Sequence, residues 1–156
     1  MVVKVLWMGR TRNPSLEALV ADYEDRIRRL IPLQIIELPD LSRKQGLRGK
    51  DLKEAEGRKI RESLSARGRL VALDEGGTEF TSGDFARWFQ SEENRSTQAI
   101  QFVVGGPEGL SDEVLARANL KLSLGIMTWT HEMCRALLME QIYRAQCILR
   151  NIPYHR

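Results

Sequence analysis

Short apolar runs alternate with longer amphipathic stretches along the chain. The runs have the length and composition of buried strands, and they are separated by glycine, proline and polar residues. They cover residues 2–8, 33–38, 69–73, 99–104 and 120–124. Because strands buried on both faces carry nearly continuous apolar runs, this pattern predicts a mostly parallel sheet.

Apolar residues at helical spacing fill the segments between the runs. The clearest stripe follows Asn13-Pro14, a cap with proline in the first turn, and comprises Leu16, Leu19, Val20, Tyr23, Ile27 and Leu30. Further helices are predicted at about 51–66, after Thr81, after Ser111 and at 131–149, with a polar loop over 40–50. Alternating strands and helices predict one α/β domain, residues 1–156, with helices on both faces of the sheet.

Composition and charge narrow the function classes. The 156 residues are 42% hydrophobic and 29% charged, with a net charge of +3, as in a folded globular protein. Residues 43–69 hold ten Lys or Arg against four acids, which suits a solvated helix face and a phosphate-binding surface equally. The scattered cysteines and histidines predict no metal site. No stretch approaches the roughly 18 apolar residues of a membrane span, and no secretion signal is seen, so we expect a cytoplasmic protein.

Candidate ligand-binding segments follow the last three predicted strands. Ligands of parallel α/β sheets bind beyond the carboxyl ends of the strands, where residues 73–75, 105–109 and 124–129 are expected. GGPEG over 105–109 is neither a dinucleotide fingerprint nor a P-loop, which disfavours a nucleotide-binding oxidoreductase or hydrolase. On the residues alone, a Gly-Gly turn is more often structural, and 127–129 suits a loop that covers the core.

The chain ends in NIPYHR, which combines an aromatic ring, an imidazole and a guanidinium. Such side chains can stack on a base or donate hydrogen bonds to phosphate and carbonyl oxygens. A frayed terminus is the competing interpretation. The residues by themselves favour neither.

From end to end, the chain resembles the SPOUT-class methyltransferases that modify N3 of a pseudouridine, of the position-1915 type, in helix 69 of bacterial 23S rRNA. The resemblance rests chiefly on GGPEGL at 105–110, LSLGIMTW at 122–129, EQIYRA at 140–145 and the terminal PYHR. GGPEGL and the YHR ending are together quite specific. Two departures are Arg10, where many relatives have lysine, and Thr130, where many have proline.

The resemblance implies a fold, a cofactor and a divided site. The family fold is an α/β knot with a C-terminal trefoil. S-adenosyl-L-methionine (AdoMet) is the methyl donor, and the matching cofactor-binding positions are Leu73, Gly105, Leu124, Gly125, Ile126, Met127, Thr128 and Trp129. Family members are homodimers in which the tail of one subunit completes the site of the other. The matching catalytic positions are Arg144, Tyr154, His155 and Arg156, and the substrate is 23S rRNA in assembled ribosomes. The alternative is a non-enzymatic ribosome-associated RNA-binding protein that keeps the fold without the cofactor.

Overall fold

Strands and helices alternate through the computed structural model, which describes residues 1–155. The strands are β1 (Val2–Met8), β2 (Leu33–Leu38), β3 (Gly68–Glu79), β4 (Ala99–Val104) and β5 (Leu120–Ser123). The helices are α1 (Pro14–Arg28), α2 (Leu41–Gln45), α3 (Gly49–Ser63), α4 (Ser82–Asn94), α5 (Asp112–Arg117) and α6 (His131–Leu149). The predicted alternation of strands and helices is therefore confirmed.

The strands form one parallel sheet in the order β2-β1-β4-β3-β5. Phe102 of β4 pairs with Val5 of β1 on one side and with Val71 of β3 on the other. Every residue of β4 is buried, as expected for a central strand whose two faces are both covered. This confirms the parallel α/β fold; the knot stays a prediction.

Helices cover both faces of the sheet, as predicted. On one face α1, α4 and α6 pack around Trp7, Phe89 and Phe102. On the other, α2, α3 and α5 pack around Leu6 and Val103. Within residues 1–155, no helix combines the length and the apolar character needed to cross a membrane.

Two segments differ from the sequence prediction. The expected loop over 40–50 contains α2, because Asp40 accepts the Arg43 N–H at 3.2 Å and Leu41 is buried. In the α1 stripe, Leu19 is 41% exposed and does not join the core. Local propensity predicts a loop over residues 40–50 because α2 is only five residues long. The helix forms because the Asp40 cap and the burial of Leu41 stabilise it.

Strand β3 continues beyond its predicted end at Leu73. Leu122 of β5 pairs with Leu73 and again with Thr78, so residues 74–77 form a bulge in the ladder. A Cβ on Gly77 would lie 2.6 Å from the Lys121 carbonyl, so only glycine allows this approach. Because of the bulge, Asp74 and Glu75 project from β3 at the edge of the sheet where β4 ends.

The start of α6 is fixed to the loop that follows β1. Arg135, buried to 1% exposure, donates to the Met8 carbonyl at 2.6 Å and to Thr11 Oγ1 at 3.1 Å. Glu132 Oε1 accepts the Arg12 backbone N–H at 2.7 Å. These contacts hold the first turn of α6, and with it the segment before the helix, against the sheet.

Candidate functional site

The bulge of β3 and the loops that follow β4 and β5 meet at one edge of the sheet. They enclose an open cavity of about 610 Å³, which lies within the range of small-molecule sites. Its walls come from residues 73–75, 104–110, 122, 124, 125, 127–131 and 134. The three segments that the sequence singled out are thus brought together in space.

The glycine loop after β4 is a closed turn. The Gly109 N–H donates to the Gly106 carbonyl at 3.0 Å, and Gly109 has a φ of +78°, a conformation that favours glycine. A Cβ on Gly105 would lie 2.8 Å from the Gly109 carbonyl carbon. The turn therefore has no room for a side chain at residue 105.

The loop after β5 is held at both ends by side-chain hydroxyls. Ser123 Oγ accepts the Gly125 N–H at 3.2 Å and donates to the Gly125 carbonyl at 2.9 Å. Thr130 accepts the Met133 N–H at 3.2 Å and so caps α6. Thr130 thus supplies the helix cap and also lines the cavity.

All the predicted cofactor-binding residues except Ile126 line the cavity. Ile126 is 90% exposed and is not among the lining residues, although it belongs to the same loop. Met127 and Trp129 line the cavity while remaining 71% and 42% exposed. The loop thus offers large apolar surfaces at the mouth of the cavity.

The cavity wall is acidic. Asp74, Glu75 and Glu108 line it, and among the described lining residues there is no lysine or arginine. Burial, and next the charge of Arg135, lower the pKa of His131, so this lining imidazole is neutral at pH 7. Such a wall favours a cationic ligand. No group of three or more His, Cys, Asp or Glu side chains within residues 1–155 is arranged to hold a metal ion.

Glu56 lies behind the glycine loop, and sequence analysis assigned it no role. It is 4% exposed, and its Oε2 makes no hydrogen bond with any residue of 1–155. A Cβ on Gly106 would lie 2.8 Å from that oxygen. The sequence did carry a signal for the burial of Glu56. This residue is four positions from both Leu52 and Ile60, so it lies on the inward-facing stripe of α3.

Burial raises the pKa of Glu56 to about 7, and the charges of Asp40 and Glu108 add to the effect, while the Gly106 amide opposes it. The folded protein therefore retains a proton that the unfolded chain releases near pH 4.5. Stability falls as pH rises from about 4.5 to about 7, by up to about 3 kcal/mol.

Glu56→Gln is expected to increase the free energy of unfolding at pH 8 by up to about 3 kcal/mol, and to change it little at pH 5. Glutamine cannot ionise and so avoids the cost of a buried charge. Urea unfolding at the two pH values measures the difference, with the exposed Glu93→Gln as the control. Equal effects of Glu56→Gln at both pH values would show that the carboxyl is not buried as a charged group above pH 7.

The predicted catalytic residues lie away from the cavity of their own chain. Tyr154 packs on α6, with its hydroxyl 2.8 Å from Glu140 Oε1 and the Arg144 guanidinium 4.6 Å from its ring centroid. Arg144 NH1 is 3.3 Å from His155 Nδ1. These three residues therefore form one group, and none of them lines the cavity. Arg156 lies outside the described residues.

Comparisons with known proteins identify the family to which the chain is similar. A sequence profile described as "Predicted SPOUT methyltransferase" matches residues 1–155. The chain is 41% identical to "Ribosomal RNA large subunit methyltransferase H" of Trichlorobacter lovleyi and 39% identical to the protein of that name from Flavobacterium johnsoniae, each over 155 residues and 99% of both chains. A probable methylase family protein from Haemophilus influenzae Rd KW20 shares the fold, with a TM-score of 0.52 at 10% identity over 99% of this chain and 70% of that one. The chain belongs to the SPOUT methyltransferase family.

Proposed function

We propose that the chain transfers a methyl group from AdoMet to N3 of a pseudouridine, of the position-1915 type, in helix 69 of 23S rRNA in assembled ribosomes. It acts as a homodimer in the cytoplasm, with one catalytic domain over residues 1–156. The observation that carries the proposal is the convergence of three loops into one acidic cavity, in a chain similar along its length to relatives named for methylation of large-subunit rRNA.

The chemistry of the cavity wall suits AdoMet. AdoMet carries a positive sulfur, and the wall presents Asp74, Glu75 and Glu108 beside a neutral His131. Met127 and Trp129 offer apolar surface for a planar base at the mouth. We expect Leu73, Gly105 and residues 124–129 to hold the cofactor.

When bound, AdoMet supplies a methyl group that its sulfonium already activates. The protein must align N3 with that methyl and exclude water, and orientation alone can contribute about 7–11 kcal/mol at best. A rigid wall is required for such alignment. The turn closed by Gly106 and Gly109 and the Ser123–Gly125 hydrogen bonds supply it.

The nucleotide is received by the C-terminal tail of the other subunit. Arg144, Tyr154 and His155 do not line the cavity of their own chain, which supports a site shared between two chains. N3 lies between two carbonyl groups, and negative charge develops there as its proton leaves. Arg144 and Arg156 are the donors that stabilise this charge.

The proton of N3 goes to His155 or to water. Burial first, and then the hydrogen bonds with Tyr23 and Glu140, raise the pKa of Tyr154, so its phenol stays protonated at neutral pH. Tyr154 is therefore a neutral group and not the base. The His155 side chain is exposed to solvent.

The basic segment over 43–69 faces the phosphates of the substrate. Several of its residues form ion pairs, such as Lys50 with Glu54 at 3.8 Å and Lys59 with Glu62 at 3.7 Å. Pairs at this exposure contribute little, about 0–1 kcal/mol, and can exchange for phosphate contacts.

Mass spectrometry of rRNA after incubation with protein, AdoMet and ribosomes from a strain lacking the modification tests the proposal. We expect one added methyl group, located on the pseudouridine of helix 69. Ribosomes with uridine at that position are the matched control and should stay unmethylated.

Two results would contradict the proposal. Unmodified rRNA in the presence of a protein that binds ribosomes would favour the non-enzymatic alternative. Methylation of naked 23S rRNA at the same rate as ribosomes would show that the enzyme does not require the assembled particle.

A further inference from the structure

The C-terminal tail is held on the surface of its own subunit by a hydrogen-bond chain. Tyr154 donates its hydroxyl proton to Glu140 Oε1 at 2.8 Å. The Tyr23 hydroxyl lies 2.9 Å from the Tyr154 hydroxyl, and since the Tyr154 proton is already used, Tyr23 is the donor. Tyr23 belongs to α1 and Glu140 to α6, so two helices converge on one phenol.

The same carboxylate fixes the neighbouring arginine. Glu140 Oε1 accepts Arg144 Nε at 3.0 Å and Arg144 NH2 at 2.5 Å. Both side chains are largely buried, with 20% and 24% exposure. Isolated surface ion pairs contribute little, but a partly buried pair with two hydrogen bonds in a network holds its geometry. The Arg144 guanidinium is thereby placed over the Tyr154 ring, with NH1 facing His155.

We propose that Glu140 and Tyr23 are positioning residues that order the tail before substrate arrives. Neither is expected to touch the nucleotide; they act through Arg144 and Tyr154. The proposal rests on the proposed function, because it concerns how one subunit presents these groups to the cavity of the other. A tail ordered in advance avoids the entropy cost of immobilising it during binding and keeps its donors aligned.

Tyr23→Phe and Glu140→Gln test the proposal against wild-type protein with saturating ribosomes and AdoMet. Each variant is expected to lower kcat at least about ten-fold. The AdoMet dissociation constant should stay within two-fold, because neither residue lines the cavity. Tyr143→Phe is the matched control. Tyr143 contacts Tyr154 through its aromatic ring, which phenylalanine keeps. Turnover of this variant should therefore stay within two-fold of wild type.

Two further readouts separate positioning from a general effect on folding. Tyr23→Phe should add no loss to a Tyr154→Phe protein, since both remove the same hydrogen bond. Amide order parameters of residues 154 and 155 should fall from about 0.85 to below about 0.6 in Glu140→Gln.

The outcomes distinguish this proposal from the proposed function. Absence of methyl transfer by wild-type protein would overturn the proposed function. If wild type is active, turnover within two-fold for both variants would overturn the positioning role alone. An equal loss of AdoMet affinity and turnover, or additive losses with Tyr154→Phe, would also overturn it.

Discussion

Deleting Tyr154 to Arg156 is expected to lower methyl transfer to ribosomes by at least about a thousand-fold while leaving AdoMet affinity within a few-fold. Removing one donor that stabilises developing charge typically costs about 10² to 10³ in rate, and this deletion removes several groups at once. The cavity is built without the tail, so cofactor binding should persist. Single-turnover methylation and calorimetric titration with AdoMet measure the two effects.

The point variant His155→Ala refines this expectation. If His155 accepts the proton, its loss should slow transfer by about 10² to 10⁴. A smaller loss would assign the proton to water. The loss of methyl transfer in the deletion variant would then come from the remaining tail groups. Full turnover by the deletion variant would show that the tail is not part of the site.

Gly105→Ala is expected to weaken AdoMet binding by about five-fold to 150-fold. The new Cβ would lie 2.8 Å from the Gly109 carbonyl carbon and 3.1 Å from the Leu110 nitrogen. Both atoms belong to the backbone, so the turn must open, and overpacking of this kind costs about 1–3 kcal/mol. Because the turn forms one wall of the cavity, its opening displaces groups expected to contact the cofactor.

Gly83→Ala is the matched control. Its Cβ would lie 3.7 Å from the nearest atom, at the exposed start of α4. We expect unchanged AdoMet affinity and a gain in stability of about 0.4–1 kcal/mol from the stiffer chain. Equal AdoMet affinity in Gly105→Ala and wild type would show that the glycine loop is not a binding wall.

Mixing the tail-deleted protein with Gly105→Ala, at an AdoMet concentration too low to fill the weakened cavity, gives an independent check on the shared site. A mixed dimer has one cavity from the tail-deleted chain and one intact tail from the Gly105→Ala chain, facing each other. Random mixing of two-fold dimers should restore about a quarter of wild-type activity. No recovery despite verified subunit exchange would contradict a site shared between chains.

The sequence predicted the elements better than their arrangement. Strand β4 was clear because six apolar residues in a row need burial on both faces. The extension of β3 through residues 74–79 was missed, because Asp-Glu-Gly-Gly is typical of a turn. Residues 74–79 belong to the strand only because β3 pairs with β5 there. This is a tertiary contact that local β-strand propensity does not predict.

The candidate site was predicted in the same uneven way. The strand pattern predicted that residues 73–75, 105–109 and 124–129 follow the last three strands, and the resemblance assigned positions within them to the cofactor. The sheet order explains why these segments meet, since β4, β3 and β5 are neighbours. Glu56 and Tyr23 were missed because their importance depends on partners about fifty and a hundred and thirty residues away. A pattern that repeats within one helix carries no information about such partners.

A crystal structure of the protein with AdoMet tests the central claim most directly. The account predicts the cofactor between the bulge of β3 and the loops after β4 and β5, in contact with Leu73, Gly105 and residues 124–129, with its methyl group open to the tail of the partner. Cofactor bound elsewhere, such as beyond β1 and β2, or bound in this cavity with its methyl group buried against the sheet, would contradict the account.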